Sequence, residues 1–432
     1  MMKKSVYYLL AITICICCGA QIASTNSNFK FPGFQTITHP GSAKAIVIEP
    51  QFQVFHVNDS VSELHFKINN NQLLYTKRDG KDFTSNCLIY YNLLPAYNSR
   101  EILESDSVRF SDVNNDDSEN FLIGKININV PSGKTFFLRI AVTDLNRNTS
   151  VSDIIKVEKA NDLTRQNFLV TQRNSTLPLF KDYLKINDTV TVRYKKAEAQ
   201  KLYVSYYHRN FPLAPPPFSV NDQTSFDYKP DSIFNLQLSN EGKADFIPTK
   251  KGFYHFQIDT STHDGLTLFL FSDNFPEIKK AEDMFYPMRF ITSKEEYDSI
   301  EQSNNLKAEI EKFWLNATNN DKEKARDIIH QYYARVQKAN EHFTSYTEGW
   351  RNDRGMIYLI CGKPSSIYKA EYYESWTYNE PTNLNTYTFS FIKVMNPFTD
   401  NDYKLDRSPI YKQEWFLSVD DWRRGKVNNP DE

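Results

Sequence analysis

The sequence predicts a mostly β chain with a C-terminal α+β domain: two β-sandwich modules followed by a helix-plus-sheet domain. Three observations lead there. Period-two apolar runs separated by turn residues recur over residues 45–160 and again over 163–275. From Ala281 the apolar spacing changes to steps of three and four, as in an amphipathic helix. Aromatic residues are abundant, with 26 Tyr and 31 Phe in 432 residues, which suits strand-rich sandwiches.

The runs of the first module are Ala45-Ile46-Val47-Ile48, Leu64-His65-Phe66-Lys67-Ile68, Leu88-Ile89-Tyr90-Tyr91 and residues 136–142, with 154–157 as the last strand. Asn69-Asn70-Asn71 and Pro131-Ser132-Gly133 mark turns. The second module has runs at 167–170, 189–194, 201–207, 252–258 and 266–271. Its loop at 212–217 contains Pro215-Pro216-Pro217, which cannot sit in a central strand and reads as a surface loop. His208 and His255 fall in strand-like runs that can bring them together.

The helical segment and third domain span 281–427. Ser293 and Glu296 have capping-box spacing and open a short helix, and residues 306–314 continue helical. The clearest helix is 321–343, where Ala325, Ile328, Ile329, Tyr332, Val336, Ala339 and Phe343 share a face. Asn320 is its expected cap, with Glu323 three residues on. The apolar stripe is expected to lie against a sheet built from residues 356–361, 374–378 and 387–393.

Residues 1–20 read as a signal peptide. Lys3 and Lys4 begin it, residues 6–18 form an apolar run too short for a stable span, and Cys18-Gly19-Ala20 suits cleavage after Ala20. Lipid attachment at Cys18 or Cys17 is the rival outcome. Residues 21–44 read as a linker, and the mature chain as one without a transmembrane segment, in the periplasm or at the outer membrane. It would keep only Cys87 and Cys361, in different predicted domains, so there is no disulfide framework. Cys361 reads as a small buried hydrophobe. The net charge of −2 offers no field for nucleic acid.

The most specific stretch is Gly349-Trp350-Arg351-Asn352-Asp353-Arg354-Gly355, followed by the strand-like run 356–361, Gly362-Lys363-Pro364 and Glu374-Ser375-Trp376-Thr377-Tyr378. Before it come Arg335-Val336-Gln337-Lys338-Ala339-Asn340 and Phe343-Thr344-Ser345-Tyr346; after it come Asn396-Pro397-Phe398 and an aromatic tail over 415–422. Over residues 287–427 this resembles the GWxTD domain family. The resemblance implies an exported Bacteroidetes-type protein with β-rich N-terminal modules, and it implies no reaction, because the family has no established activity. Asn352 stands where the family name has Thr. Both side chains can bond to nearby backbone, so a structural role survives the change better than a nucleophilic one.

No G-x-S-x-G, H-E-x-x-H, P-loop, C-x-x-C or dinucleotide fingerprint occurs, and the eight histidines lack zinc-site spacing, so neither cofactor nor metal is expected. Gly349 and Gly355 are expected to allow positive φ in a tight turn. Asp353 is expected to accept backbone N–H groups in that turn, Arg354 to reach Glu374 in bidentate fashion, and Trp350 to bury its ring beside the long helix. With Trp376, these are the candidate site residues, read as a structural corner. Asp353 as a base or Arg354 as an anion clamp is the catalytic alternative, without a neighbouring His or nucleophile. Five Asp-Ser/Thr-aliphatic tripeptides resemble the O-glycosylation sequon of exported Bacteroidetes proteins, which would place Ser60, Ser107, Thr189, Ser232 and Ser299 on exposed turns. Ordinary turn-to-strand junctions favour the same residues.

Two functional readings follow. The first is an exported, non-enzymatic interaction or scaffold protein with an envelope protein as partner. The second is a carbohydrate-active or other hydrolytic enzyme, or a lectin, with Trp350, Trp376, Trp415 and Trp422 as a sugar platform and Asp353 and Glu374 as a carboxylate pair.

Overall fold

A computed structural model describes residues 47–77, 82–114, 120–196, 199–219, 226–379 and 386–427. The expected signal peptide, the linker and Cys18 lie outside these residues. The fold is mostly β with a C-terminal helix-plus-sheet region, and the chain divides into two compact units between Leu169 and Val170.

The first unit is a sandwich of antiparallel sheets. One contains β1 (Gln51–His56), β2 (Val61–Asn69) and β6 (Phe121–Asn129), with β2 central. The other is built on β4 (Phe83–Leu94), which pairs with β5 (Glu104–Val113) and β7 (Lys134–Asp144); β7 pairs with β8 (Thr149–Lys159), and β3 (Thr76–Lys77) with the start of β4. Alternation selects the core. Leu64, Phe66 and Ile68 of β2 meet Cys87, Ile89, Tyr91 and Leu93 of β4, together with Ile128, Leu138 and Ile140. Among the buried polar groups here, His56, Ser62, His65 and Thr143 bond to other side chains, whereas two buried charges lean on backbone. Lys159 Nζ donates to the Val130 carbonyl at 2.7 Å, and the Asp144 carboxylate accepts the Leu74, Asn146 and Arg147 N–H groups at 2.8–3.0 Å.

The second unit opens with two more sheets. β9 (Phe168–Gln172), β11 (Val190–Tyr194) and β14 (Lys243–Phe246) form one in the order β14-β11-β9. The other runs β10 (Tyr183–Leu184), β16 (Leu266–Leu270), β15 (Gly252–Gln257), β12 (Lys201–Tyr207) and β13 (Ser232–Gln237). Phe246 packs edge-on against Phe256 at 5.0 Å between these sheets. On the opposite face of the larger sheet, Tyr207, Phe253 and Phe269 cluster with Phe398. Both faces being covered, β15 from Phe253 onward and all of β16 are buried rather than alternating, with His255, Gln257 and Thr267 among the buried residues.

Six helices follow: α1 (Ala281–Phe285), α2 (Lys294–Glu301), α3 (Leu306–Ala317), α4 (Lys322–Phe343), α5 (Asp353–Cys361) and α6 (Lys412–Arg423). A four-stranded antiparallel sheet, β17 (Ser366–Lys369), β18 (Tyr373–Asn379), β19 (Thr386–Lys393) and β20 (Tyr403–Leu405), lies between α5 and α6 in sequence. Ser293 and Glu296 form the expected reciprocal capping box on α2. The cap of α4 is Asp321, whose side chain accepts the Lys324 N–H; Asn320 sits one residue outside at φ 65°. The expected strand at 356–361 is instead the body of α5, so the sheet starts at β17. A run apolar on every side has no period to read, and a buried helix and a buried strand then look alike. Among the described residues, no helix is long and apolar enough to cross a membrane.

Candidate functional site

The signature residues build the entry to α5, a helix sunk in the core: every residue from Asp353 to Ile360 is buried. Helix ends leave N–H and C=O groups without intrahelical partners, and inside a protein water cannot supply them. Asn352 meets this need on two sides. Its Oδ1 accepts the Gly355 N–H at 3.0 Å, capping α5, while its amide donates to the Phe343 carbonyl at the end of α4. At the other end Gly362, at φ 79°, returns its N–H to the Tyr358 carbonyl. Arg335, 2% exposed on α4, donates to the Leu359 and Ile360 carbonyls at 3.4 and 3.5 Å, and Trp422 Nε1 to Ile360 at 3.0 Å.

Neither Gly349 nor Gly355 has positive φ, contrary to expectation. Close approach is what excludes a side chain. A Cβ on Gly349 would lie 1.9 Å from the Ala339 carbonyl oxygen of α4, and one on Gly355 would lie 1.8 Å from that of Gly349. The signature turn thus lies directly on the α4 backbone. Asn340 Oδ1 accepts the Trp350 N–H at 3.3 Å, and Thr344 Oγ1 the Gly349 N–H at 3.1 Å.

The charged residues look outward from α5 to the sheet. Arg354 reaches Glu374 as expected, but from Nη1 alone, at 3.4 and 3.5 Å, rather than as a two-nitrogen fork. Its Nη2 goes to Asn401, whose amide in turn holds the His342 and Thr344 carbonyls. The guanidinium lies 4.0 Å from the centroid of the Tyr403 ring. Glu374 also accepts Trp376 Nε1 at 3.1 Å. Asp353 accepts no N–H within its own turn. It takes the Leu405 N–H of β20 at 2.8 Å and both terminal nitrogens of Arg407.

The proline loop is no free surface loop. Arg407 donates to the Pro215 carbonyl at 3.0 Å, Ser408 N–H to Pro217 at 3.1 Å and Ala214 N–H to Arg351 at 2.9 Å, while Leu213, Ala214 and Phe218 pack on the helix-plus-sheet core. Arg407, Asn401, Asn340 and Arg335 were missed as site partners. Each acts across a long or helical separation that leaves no spacing signal.

The sugar platform is not formed. Trp350, Trp376, Trp415 and Trp422 are 5%, 1%, 4% and 0% exposed, and Asp353 and Glu374 each face an arginine in the interior. Nearby, burial raises the carboxyl pKa of Glu348 and of Asp402 above the usual range. Burial also pushes the Cys87 and Cys361 thiols up to about 12, and both cysteines are free. The register sets Ser205, rather than His208, opposite His255. His255 bonds to the Thr267 hydroxyl and the His263 carbonyl, and the His208 N–H goes to Asp231. Among the described residues, no group of three or more His, Cys, Asp or Glu side chains is placed to hold a metal.

Of the five proposed glycosylation positions, Ser60 is exposed in the turn before β2 and Ser232 is exposed at the start of β13. Thr189 is half-buried just before β11. Ser107 lies within β5 and Ser299 within α2, so neither is on a turn.

Comparison with known proteins gives one family. No curated protein matches the chain. Residues 252–424 match the family model described as GWxTD domain, opening at β15, earlier in the chain than the resemblance over 287–427. The chain carries a GWxTD domain, and the buried corner at Gly349–Arg351 and α5 lies within the matched residues.

Proposed function

We propose that the chain is an exported, non-enzymatic interaction or scaffold protein of the periplasm or outer membrane. In this reading the strand modules at 45–160 and 163–275 act as binding or spacer units, and the GWxTD domain is the docking unit for an envelope protein. One observation carries it: the signature's Trp350, Asp353 and Arg354, with Glu374 and Trp376, are buried, with Arg354 bonded to Glu374, Glu374 to Trp376, Asp353 to Leu405 and Arg407, and the Trp350 N–H to Asn340. Residues so placed hold an architecture, which leaves outer surfaces to do the binding. Export rests on Lys3, Lys4 and the apolar run 6–18.

Cell fractionation with N-terminal sequencing tests location. The expected result is an envelope protein beginning after Ala20, or lipid-modified at Cys18. A cytosolic chain starting at Met1 overturns it. Crosslinking within envelope fractions tests the interaction role, with a heterotypic adduct expected. Intact-mass measurement tests glycosylation, with Ser60 and Ser232 as the sites best placed; the bare polypeptide mass removes it.

A further inference from the structure

β13 is an edge strand without the usual protection. Edge strands in soluble proteins are shortened, charged, interrupted by proline or covered, because an open edge pairs with other chains. The other edges in the second unit follow this. Among the described residues, β10 has two residues, β14 carries Lys243 and Asp245, β17 has four residues including Lys369, β20 has three residues including Lys404, and β9 is covered by the Thr171–Pro178 bridge and the Leu179 N–H bond to Val170. β13 is Ser232-Ile233-Phe234-Asn235-Leu236-Gln237, six residues without charge, proline or glycine. Ile233 is 54% exposed and Phe234 38%.

The strand pairs with β12 on one side, and among the described residues its other side is unpaired. The Leu238 N–H donates to the Gln200 carbonyl, so by alternation Ile233, Asn235 and Gln237 turn their backbone groups outward. Phe234 and Leu236 stand opposite buried Val204 and Leu202 and line a groove of about 500 Å³ with Tyr206, Phe246, Ile247 and Tyr254. Lys250 also lines the groove and has no ion pair among the described residues, whereas Asp245 is held by Arg173 at 3.1 Å. The groove therefore favours a carboxylate.

We propose that β13 takes one extended strand of a partner polypeptide, with alternating apolar side chains over Phe234 and Leu236 and an acidic residue facing Lys250. This names the partner class for the interaction reading above and rests on it. A second copy fits less well: pairing two six-residue edges covers less than the ~1,200 Å² of a stable interface and brings two lysine-lined grooves together.

The test places photoreactive benzoylphenylalanine at position 234 of the full-length chain in the cells that make it, with adduct peptides sequenced after irradiation. The expected adduct is one contiguous segment with apolar alternation and a carboxylate. Its yield should fall at least tenfold with Asn235→Pro, which removes an outward N–H and spares the β12 ladder, and also with Lys250→Glu, a surface change that leaves the fold alone. An adduct between two copies, a segment without alternation, a yield unmoved by both substitutions, or labelling no higher than from exposed position 286 overturns the proposal. Heterotypic adducts from 286 but not 234 would leave the interaction reading standing while removing the edge; none from either would remove both.

Discussion

The two units satisfy their buried backbone groups in different ways. In the first, strands satisfy their own backbone along the ladder, and the buried charges Asp144 and Lys159 bond mainly to loop N–H and C=O groups at the sandwich ends. In the second, α5 ends inside the core, and side chains must complete both of its termini, the adjacent cap at one and distant segments at the other. Asn352 serves one end, and Arg335 and Trp422 the other, with Arg354 and Arg407 tying the same helix to the sheet and the proline loop. A sandwich thus tolerates change in its polar residues wherever backbone partners can turn to water. A helix buried end to end does not, and that explains why one short stretch of this chain carries so specific a pattern.

The sharpest way to break this contrast is to unpair a charge in the corner. Arg354→Met should cost ~3–5 kcal/mol, because Glu374 would remain buried without its cation. Adding Glu374→Gln should recover most of the loss, since the amide oxygen still accepts from Trp376 while the charge is gone. All five tryptophans (314, 350, 376, 415 and 422) belong to the second unit, so urea unfolding followed by tryptophan fluorescence reads it alone. A single variant that unfolds like the parent would show the ion pair to be ornamental.

Next comes the close approach. Gly355→Ala should cost roughly 3 kcal/mol, at the upper end for overpacking, because its Cβ meets fixed backbone rather than a side chain that can swing away. The same fluorescence measurement checks it, and an unshifted midpoint would refute the contact as the reason for glycine.

The third test turns to the first unit and to pH. Glu63 is held down to about 2 by its bond to His65 and by Lys125. A depressed carboxyl contributes stability above its unfolded value of about 4.5, lost as pH falls towards 2. Glu63→Gln should therefore destabilise by ~1–3 kcal/mol at neutral pH, with the difference vanishing across that window. Glu348 and Asp402 of the second unit have the opposite sign: their raised values favour the folded state at low pH, and that contribution is lost as pH rises through them. Urea curves by circular dichroism, set against fluorescence, separate the units. Parallel pH dependence in both would erase the distinction.

Much of this architecture was legible because its signals are local. Alternation marked β2, β4 and β7, three- and four-residue steps marked α4, and the Ser293–Glu296 box placed α2. The Arg354–Glu374 pair could be named because one helix and the next long strand carry it. The helical state of 356–361 was not legible from periodicity, since Met356-Ile357-Tyr358-Leu359-Ile360 is apolar all round. Its brackets were present, however: a capping Asn352 and a terminating Gly362 enclose nine residues, a helix length. Arg407 and Asn401 could not be found, because they join Asp353 and Arg354 across 54 and 47 residues with no repeating pattern between.

The smallest predicted effect tests the departure from the family name. Asn352→Ala removes the Gly355 cap and the donor to Phe343, which should cost ~1–2 kcal/mol. Asn352→Thr keeps an oxygen that can cap but has no amide for the Phe343 carbonyl. It should cost about 0.5–1 kcal/mol, the net worth of one hydrogen bond. If the signature position serves only α5, Thr and Asn will unfold alike by fluorescence. If it also ties off α4, Thr will fall between Asn and Ala, and the loss will disappear in a variant whose α4 ends without needing that donor. A threonine variant less stable than alanine would mean that the branched side chain does not fit the turn, and the capping account would fail for this chain.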